Sequence, residues 1–289
     1  MTAAQSPLDP DQARRGARPL SELPPGAWRS VLGLMTDIDD TLTRDGLIEP
    51  AALAALQQLA VAGVPVVAIT GRPLGWCREL TGDWPLAAVV AENGAVARVR
   101  DADCGTIRTE YAQDAATRES NALRLRAAAA RVLAEQPGTQ LARDSAGRET
   151  DIAIDHGEFT RLPAAAIEQV VAILQGQGLT ATVSSIHINA WFGDHSKLSG
   201  ARWMLRRLFG RELDAERDRW VYVGDSTNDQ ALFGHFPQAV GVANLMAFAH
   251  SLHTWPAWMT AGERGVGFAE VVARLLHDRE HARPQRGAV

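Results

Sequence analysis

Three carboxylates, those of Asp37, Asp39 and Asp40, follow directly after the apolar segment Val31–Met35. An apolar run that ends in polar residues predicts a buried strand delivering these side chains to its carboxyl end. Acidic groups this close in sequence repel one another, so such a cluster is tolerable mainly where a bound cation or a phosphoryl-transfer reaction uses it. A solvated acidic turn is the alternative interpretation of these residues taken alone.

Three further reactive residues occupy comparable positions along the chain. Thr70 follows the apolar segment Val64–Ile69, and Asp225 follows Trp220–Val223 with one glycine between. Lys197 begins the helix predicted before the second of these segments. Ligands of open α/β sheets bind at the carboxyl ends of the strands, so we expect these side chains to meet the acidic cluster in one crevice.

These residue types together suit phosphoryl transfer. One aspartate can attack phosphorus, and a second can donate a proton to the leaving oxygen and later accept one from water. Carboxylates can hold Mg²⁺, which offsets the repulsion between an anionic nucleophile and a phosphate. Lysine and threonine can bind the non-bridging oxygens as their charge redistributes.

Strands and helices alternate at short spacing around the first of these residues. A helix is predicted from Pro50 to about Gly63 and another over Leu74–Leu80, and a third buried strand follows at Leu86–Ala91. This rhythm predicts an α/β fold with a doubly wound, Rossmann-like parallel sheet. The same rhythm resumes at Lys197 and continues to a last helix over Phe268–Leu276.

A different pattern separates the two α/β segments. Helices are predicted over Arg118–Leu133 and Pro163–Leu174, and each is followed by two segments of alternating polarity, which are typical of half-exposed antiparallel strands. These segments are Thr139–Arg143, Thr150–Asp155, Thr180–Ser184 and Ile186–Phe192. The order helix, two strands, helix, two strands predicts an α+β module inserted into the sheet domain.

Composition and charge restrict the function classes. The 289 residues carry a formal net charge of −5, which argues against a general nucleic-acid binder. Cys77 and Cys104 form no metal-binding or redox spacing, and no apolar stretch approaches the roughly 20 residues that span a bilayer. The N-terminus lacks the apolar core of a secretory signal. We therefore expect a cytoplasmic enzyme with no nucleic-acid or membrane partner.

Four ordered motifs resemble those of the haloacid dehalogenase superfamily of phosphatases. Asp37–Thr41 resembles its DxDxT motif, Thr70 the second motif, Lys197 the third, and Gly224–Asp229 the GDxxND form of the fourth. They occur in the family's order and frame nearly the whole chain, and each lies in its expected strand or helix context. The chain is therefore identified as a member of this superfamily.

The resemblance implies a role for each motif residue. Asp37 would be the nucleophile and Asp39 the general acid/base, which favours hydrolysis of a phosphate ester over dehalogenation. Thr70 and Lys197 would bind the transferring phosphoryl group, and Asp229 would steady Lys197 or the waters of the metal. The implied ligands of an Mg²⁺ cofactor are Asp37, the backbone carbonyl of Asp39, Asp225 and Asp229.

The predicted insertion resembles the C2-type cap of the superfamily branch called type IIB. Glu92–Ala95 resembles the ENGA turn of that branch, whose members include sucrose-phosphate and trehalose-phosphate phosphatases. Gln230–Phe233 departs from the Pro-Met-Leu-like run of many relatives, which leaves the subfamily open. We expect a flexible tail over residues 1–28, a hydrolase core over 29–108 and 193–282, a cap over 109–192 and a C-terminal tail over 283–289.

Substrate contacts are predicted around the mouth of the crevice. His187 and Asn189 share one face of an alternating strand with Trp191, on which a sugar could stack; a half-exposed strand face without a ligand is the alternative. Arg72 and Asn93 lie close to the sheet edge. The predicted residues for binding phosphate or substrate are Thr70, Gly71, Arg72, Asn93, His187, Asn189, Lys197 and Asn228.

Together these observations predict a Mg²⁺-dependent phosphomonoesterase. It would hydrolyse a small phosphorylated metabolite through an aspartyl-phosphate, and the resemblance to type IIB favours a sugar phosphate. Two alternatives stay open: a sugar phosphomutase of the same fold, and a non-catalytic binding or regulatory protein.

Overall fold

The structure is a computed structural model and describes residues 16–101 and 103–280. The strands, numbered in chain order, are β1 (Arg18–Pro19), β2 (Gly33–Thr36), β3 (Thr43–Arg44), β4 (Leu47–Ile48), β5 (Val66–Ile69), β6 (Ala88–Ala91), β7 (Val96–Arg100), β8 (Ile107–Tyr111), β9 (Gln140–Leu141), β10 (Asp151–Asp155), β11 (Thr180–Val183), β12 (His187–Trp191), β13 (Trp220–Gly224), β14 (Ala239–Gly241) and β15 (Trp258–Met259). The α-helices are α1 (Pro50–Val61), α2 (Leu74–Asp83), α3 (Ala115–Glu135), α4 (Ala164–Gln175), α5 (Lys197–Phe209), α6 (Leu213–Glu216), α7 (Gln230–His235) and α8 (Arg264–Glu280).

A nine-stranded sheet forms the core, in the order β1-β15-β14-β13-β2-β5-β6-β7-β8. Neighbouring strands run parallel from β1 to β6, and β7 and β8 add an antiparallel hairpin at one edge. Because β2 lies between β13 and β5, the residues that follow these three strands meet at one edge of the sheet. These residues include Asp37, Asp225 and Thr70. The predicted Rossmann-like α/β fold is confirmed.

Helices cover both faces of this sheet. Leu34 of β2 belongs to a fully buried cluster with residues of α1 and α8, whereas its neighbour Met35 packs with residues of α5 on the other face. Burying each such side chain contributes about 1.5–3 kcal/mol, more than the roughly 0–1 kcal/mol of an exposed ion pair. The apolar packing on both faces therefore fixes β2 at the centre.

A second sheet, antiparallel and in the order β11-β12-β10-β9, is formed by the segment between β8 and α5. Helices α3 and α4 pack on one of its faces against Ile154 and Ile188. The alternation of β12 directs His187 and Asn189 to the opposite face. The elements follow the predicted order, although β9 is shorter than the predicted strand Thr139–Arg143. We refer to residues 115–191 as the cap.

The predicted N-terminal tail is wrong for residues 16–28, while residues 1–15 and the predicted tail over 283–289 lie outside the described residues. Strand β1 pairs in parallel with β15, and Trp28 is fully buried. The backbone N–H groups of Gly26 and Trp28 each donate to the carboxylate of Asp278 at 3.0 Å. Several prolines and a two-residue strand leave no periodic pattern here, so this packing could not be predicted from the sequence.

We expect Trp28→Ala to lower the free energy of unfolding by about 3–5 kcal/mol, because it removes a large buried side chain from the core. Chemical denaturation of the full chain measures this change. The neighbouring substitution Arg29→Ala is the control, since Arg29 is exposed and should shift the value by less than about 0.5 kcal/mol. Equal effects of the two substitutions would show that residues 16–28 do not pack on the core in solution.

Candidate active site

Lys197 occupies the first position of α5 because the two residues around it define the start of this helix. Ser196 and Ser199 form a capping box, in which each side chain bonds the backbone of the other. The ammonium of Lys197 then lies 3.0 Å from a carboxylate oxygen of Asp37 and 2.8 Å from one of Asp229. Helix capping thus brings the third motif to the end of β2.

The charges around Lys197 are buried and strongly coupled. Burial raises the pKa of the Asp37 carboxyl to about 8, although the Lys197 ammonium opposes this shift. Burial alone would lower the pKa of Lys197, but the charges of Asp229 and Asp37 raise it above its ordinary value. Lys197 is therefore a permanent cation, suited to bind a phosphoryl oxygen beside Asp37.

Asp229 orients this lysine. One oxygen accepts from Lys197 and, at 2.6 Å, from the hydroxyl of Tyr222, and the other accepts from the backbone N–H groups of Asp225 and Ser226. Both oxygens are thus already bonded to donors. Of the roles predicted for Asp229, these contacts favour steadying Lys197.

The residues beside Asp225 fit a divalent cation. Carboxylate oxygens of Asp37, Asp225 and Asp229 lie within 4.8 Å of one another. Asp225 is fully buried, and its Oδ1 has no hydrogen-bond partner among the described residues, while Oδ2 accepts from Asn244 at 3.2 Å. Burial and the neighbouring Asp37 charge raise the pKa of Asp225 well above its ordinary value. Oxygen donors and excess negative charge suit Mg²⁺.

Thr70 follows β5, the strand next to β2, and is hydrogen-bonded to the turn after β6. The hydroxyl of Thr70 accepts from the backbone N–H of Arg72 at 3.0 Å, and the carbonyl of Thr70 accepts from the N–H of Asn93. Glu92, Asn93 and Gly94 all have positive φ, and a side chain at Gly94 would collide with the carbonyl oxygen of Ser196. Strained backbone here lets the turn lie directly against the start of α5.

Asp39 lies on the cap side of Asp37. Together with Asp37, it lines a cavity of about 10 Å³, large enough for roughly one water molecule. Its two carboxylate oxygens accept from Nε of Arg72, at 2.9 Å and 3.1 Å. The predicted residues that line this small cavity are Asp37, Asp39, Gly71, Arg72, His187, Asn189 and Asn228.

The cap face of β12 points into the crevice, but its side chains bond within the protein. His187 contacts Glu158 at 3.0 Å, and the amide of Asn189 donates to Asp151 and to the carbonyl of Gly71. The predicted sugar stacking on Trp191 is wrong, because its ring is buried against His195 and its Nε1 donates to the carbonyl of that residue.

A larger cavity of about 450 Å³ adjoins the small one and shares Asp39 and Arg72 with it. It lies between core residues such as Asp45 and cap residues such as Phe159 and Arg161. A groove of about 700 Å³ between α1 and α8 is larger still, but none of the predicted site residues lines it. Of these two cavities, the one of about 450 Å³ is therefore the one that lies next to the predicted site residues.

Several functional contacts were not predicted. Asn244 lies just after β14 and bonds both Asp225 and the backbone carbonyl of Asp40. The rule that ligands bind at the carboxyl ends of strands could have identified it. Tyr222 bonds Asp229, yet in sequence it is one apolar-looking residue of a buried strand. Glu92 anchors the cap from the core, accepting from the N–H and hydroxyl of Thr150, both at 2.6 Å.

Comparisons with known proteins agree with this architecture. Residues 34–124 match the family of haloacid dehalogenase-like hydrolases. A search of curated proteins gives no significant match. In none of the described helices is an apolar stretch long enough to cross a membrane.

Solved structures share the fold over most of the chain. Thermoplasma acidophilum 0175 is 18% identical with a TM-score of 0.63, covering 86% of this chain and 99% of its own. The sucrose-phosphatase of Synechocystis sp. PCC6803, solved with sucrose and phosphate, is 16% identical with a TM-score of 0.61, covering 86% and 98%. A sugar phosphatase of haloacid dehalogenase subclass IIB is 14% identical with a TM-score of 0.58, covering 85% and 99%.

The mainly parallel core and the inserted cap form the architecture that this chain shares with these solved structures. Residues 34–124 match the haloacid dehalogenase-like hydrolases, which agrees with the family and the enzyme class predicted from the four motifs.

We expect Mg²⁺ to raise the unfolding temperature more at about pH 9 than at about pH 6. Burial raises the pKa of Asp37 to about 8 in the ion-free protein, so below that pH the cation must displace a proton. Thermal unfolding with and without MgCl₂ measures the shift.

Asp225→Asn is the matched variant for this measurement. It removes one buried negative charge, so the ion-free variant should unfold no lower than the wild type, yet Mg²⁺ should no longer stabilise it. A Mg²⁺ shift that is independent of pH, or one that survives in Asp225→Asn, would contradict a cation site at these carboxylates.

Proposed function

We propose that this chain is a Mg²⁺-dependent phosphomonoesterase acting through an aspartyl-phosphate on Asp37. The observation that carries the proposal is the buried pair of Asp37 and Lys197, 3.0 Å apart, beside a second aspartate that opens onto the same cavity. A nucleophile, a phosphoryl-binding cation and an acid/base in one enclosed crevice are the groups that ester hydrolysis requires. A binding protein has no need of this combination.

The residues suggest an order of steps. Lys197 and the Thr70 hydroxyl bind the non-bridging oxygens; Thr70 already accepts from Arg72 N–H, so its own proton is free to donate. Asp37 attacks phosphorus, and Asp39 protonates the leaving oxygen as the ester bond breaks. Asp39 then takes a proton from water, which attacks phosphorus and releases phosphate and the free Asp37 carboxylate.

Mg²⁺ would be held by Asp37 and Asp225, with the Asp39 backbone carbonyl as the further ligand that the family resemblance implies. When bound, it would offset the repulsion between the Asp37 carboxylate and the phosphate. The unpartnered, buried Oδ1 of Asp225 supports this placement. Asp229 would act on Lys197, whose ammonium it already contacts.

A sugar phosphate is the substrate class that we favour. The cavity of about 450 Å³ next to Asp39 is large enough for a small polar leaving group, and charged and polar residues line much of it. Among the proteins that share the fold are a sucrose-phosphatase and a subclass IIB sugar phosphatase.

Phosphate release from sugar phosphates, including sucrose 6-phosphate and trehalose 6-phosphate, tests the proposal. We expect release with Mg²⁺ that stops in EDTA, and we expect Asp37→Asn to reduce it to background while leaving the unfolding temperature within a few degrees. If phosphate is released from 4-nitrophenyl phosphate but from none of the sugar phosphates, the phosphatase activity stands and the sugar phosphate is rejected as the substrate class. Activity retained in Asp37→Asn would refute the nucleophile.

Asp39→Asn should distinguish substrates by their leaving groups. An alkyl ester needs a proton on its leaving oxygen and should lose roughly 10²–10⁴-fold in the rate of phosphoenzyme formation. Nitrophenolate leaves without one, so the burst of nitrophenol from 4-nitrophenyl phosphate should be changed far less. Rapid-quench kinetics measures both rates, and equal slowing of the two would exclude Asp39 as the acid.

A further inference from the structure

Arg72 is a buried guanidinium whose donors are largely occupied by protein carboxylates. Its Nε bonds both oxygens of Asp39, and its Nη2 lies 2.9 Å from one of them. The same Nη2 contacts Glu158 at 3.1 Å, and Nη1 contacts Asp144 at 3.4 Å. The side chain is only 6% exposed. Arg72 was predicted to bind phosphate or substrate, and in this structure most of its donors bind protein carboxylates instead.

Two of the three carboxylates on Arg72 come from the cap. Glu158 lies in a turn whose backbone N–H groups, from residues 157 to 160, all donate to the carboxylate of Asp155. Burial alone would raise the pKa of Glu158, but the hydrogen bond of His187 and the charge of Arg72 lower it to about 2. The cap therefore presents a fixed, ionised carboxylate to a guanidinium of the core.

A planar guanidinium suits this arrangement better than an ammonium would. Its N–H donors lie in one rigid plane, so carboxylates that bind Nη1 and Nη2 also determine the direction in which Nε donates. Glu158 binds Nη2 and Asp144 binds Nη1, while both carboxylate oxygens of Asp39 accept from Nε. The orientation of the Asp39 carboxylate therefore depends on whether the cap is closed on the core.

We propose that Arg72 is a positioning residue that sets the orientation of the Asp39 acid/base and links it to the cap through Glu158 and Asp144. This inference rests on the proposed phosphatase function and adds a residue that acts through Asp39 rather than on substrate. Closure of the cap would then orient the Asp39 acid/base and enclose the phosphoryl group at the same time.

Kinetics of Arg72→Gln, with 4-nitrophenyl phosphate and the sugar phosphate that the wild type cleaves fastest, tests the proposal. We expect the sugar phosphate to lose at least about tenfold in kcat with little change in KM, because the acid is misplaced while substrate binding is intact. The burst of nitrophenol should change by less than about threefold. Glu158→Gln should reproduce the same selectivity in weaker form.

The double variant Arg72→Gln/Asp39→Asn gives the sharpest comparison. If Arg72 acts through Asp39, the double variant should cleave the sugar phosphate no more slowly than Asp39→Asn alone. The proposal would be overturned, and Arg72 would be a substrate contact, if the loss of rate in the double variant equalled the product of the losses in the two single variants. A raised KM for both substrates would have the same meaning. Equal loss on both substrates with a lowered unfolding temperature would overturn it in favour of a merely structural role.

Arg78→Gln is the matched control. Arg78 lies on α2 and, like Arg72, contacts a cap glutamate, Glu149 at 3.6 Å, but no contact among the described residues joins it to Asp39. It should leave the ratio of the two rates unchanged. Wild-type chain that cleaves neither substrate would instead reject the proposed function, so the two failures are distinguishable.

Discussion

The burial of three carboxylates around a single ammonium is the constraint on which the rest of the structure depends. Asp37, Asp225 and Asp229 come within 4.8 Å of one another, and Lys197 compensates only part of their charge. Breaking a buried ion pair typically costs about 3–5 kcal/mol, so the protein must hold every partner in place. The strand order of the core brings the carboxylates together, and the capping box of α5 supplies the lysine. The negative charge that stays uncompensated favours a bound cation, and such a cation would in turn attract a phosphoryl group.

The cap imposes the second condition, because it encloses this charge. Glu92 anchors it from the core, and the remaining space above Asp37 and Asp39 is about 10 Å³. This space is too small for a phosphoryl group, so under the proposed function the cap would have to open to admit one and close again around it. Contacts between core and cap therefore have to be numerous enough to exclude water yet individually breakable. The ionic contacts of Arg72 and the hydrogen bonds of Glu92 are of this kind.

Residues that directly follow a strand could be placed from the sequence, because the strand itself is a short and recognisable segment. Asp37, Thr70 and Asp225 each follow a recognisable buried strand, and the order of strands and helices predicted the sheet that joins them. Prediction from the sequence failed where partners are distant along the chain: Asp144 and Glu158 are 72 and 86 positions from Arg72, and nothing local marks them as its partners. Residues 16–28 were missed for a related reason, since their packing depends on Asp278 at the other end of the chain. Long-range polar contacts leave no periodicity to detect.

Chemical trapping of the phosphoenzyme tests the central claim, that Asp37 becomes phosphorylated during turnover. The chain would be mixed with 4-nitrophenyl phosphate and Mg²⁺, quenched during the burst, and treated with borohydride, which reduces an acyl phosphate to an alcohol. Mass spectrometry of the peptides should then find homoserine at position 37, and none in a sample quenched without substrate. Phosphate release during the burst with an unmodified Asp37, or reduction at another carboxylate, would contradict the assignment.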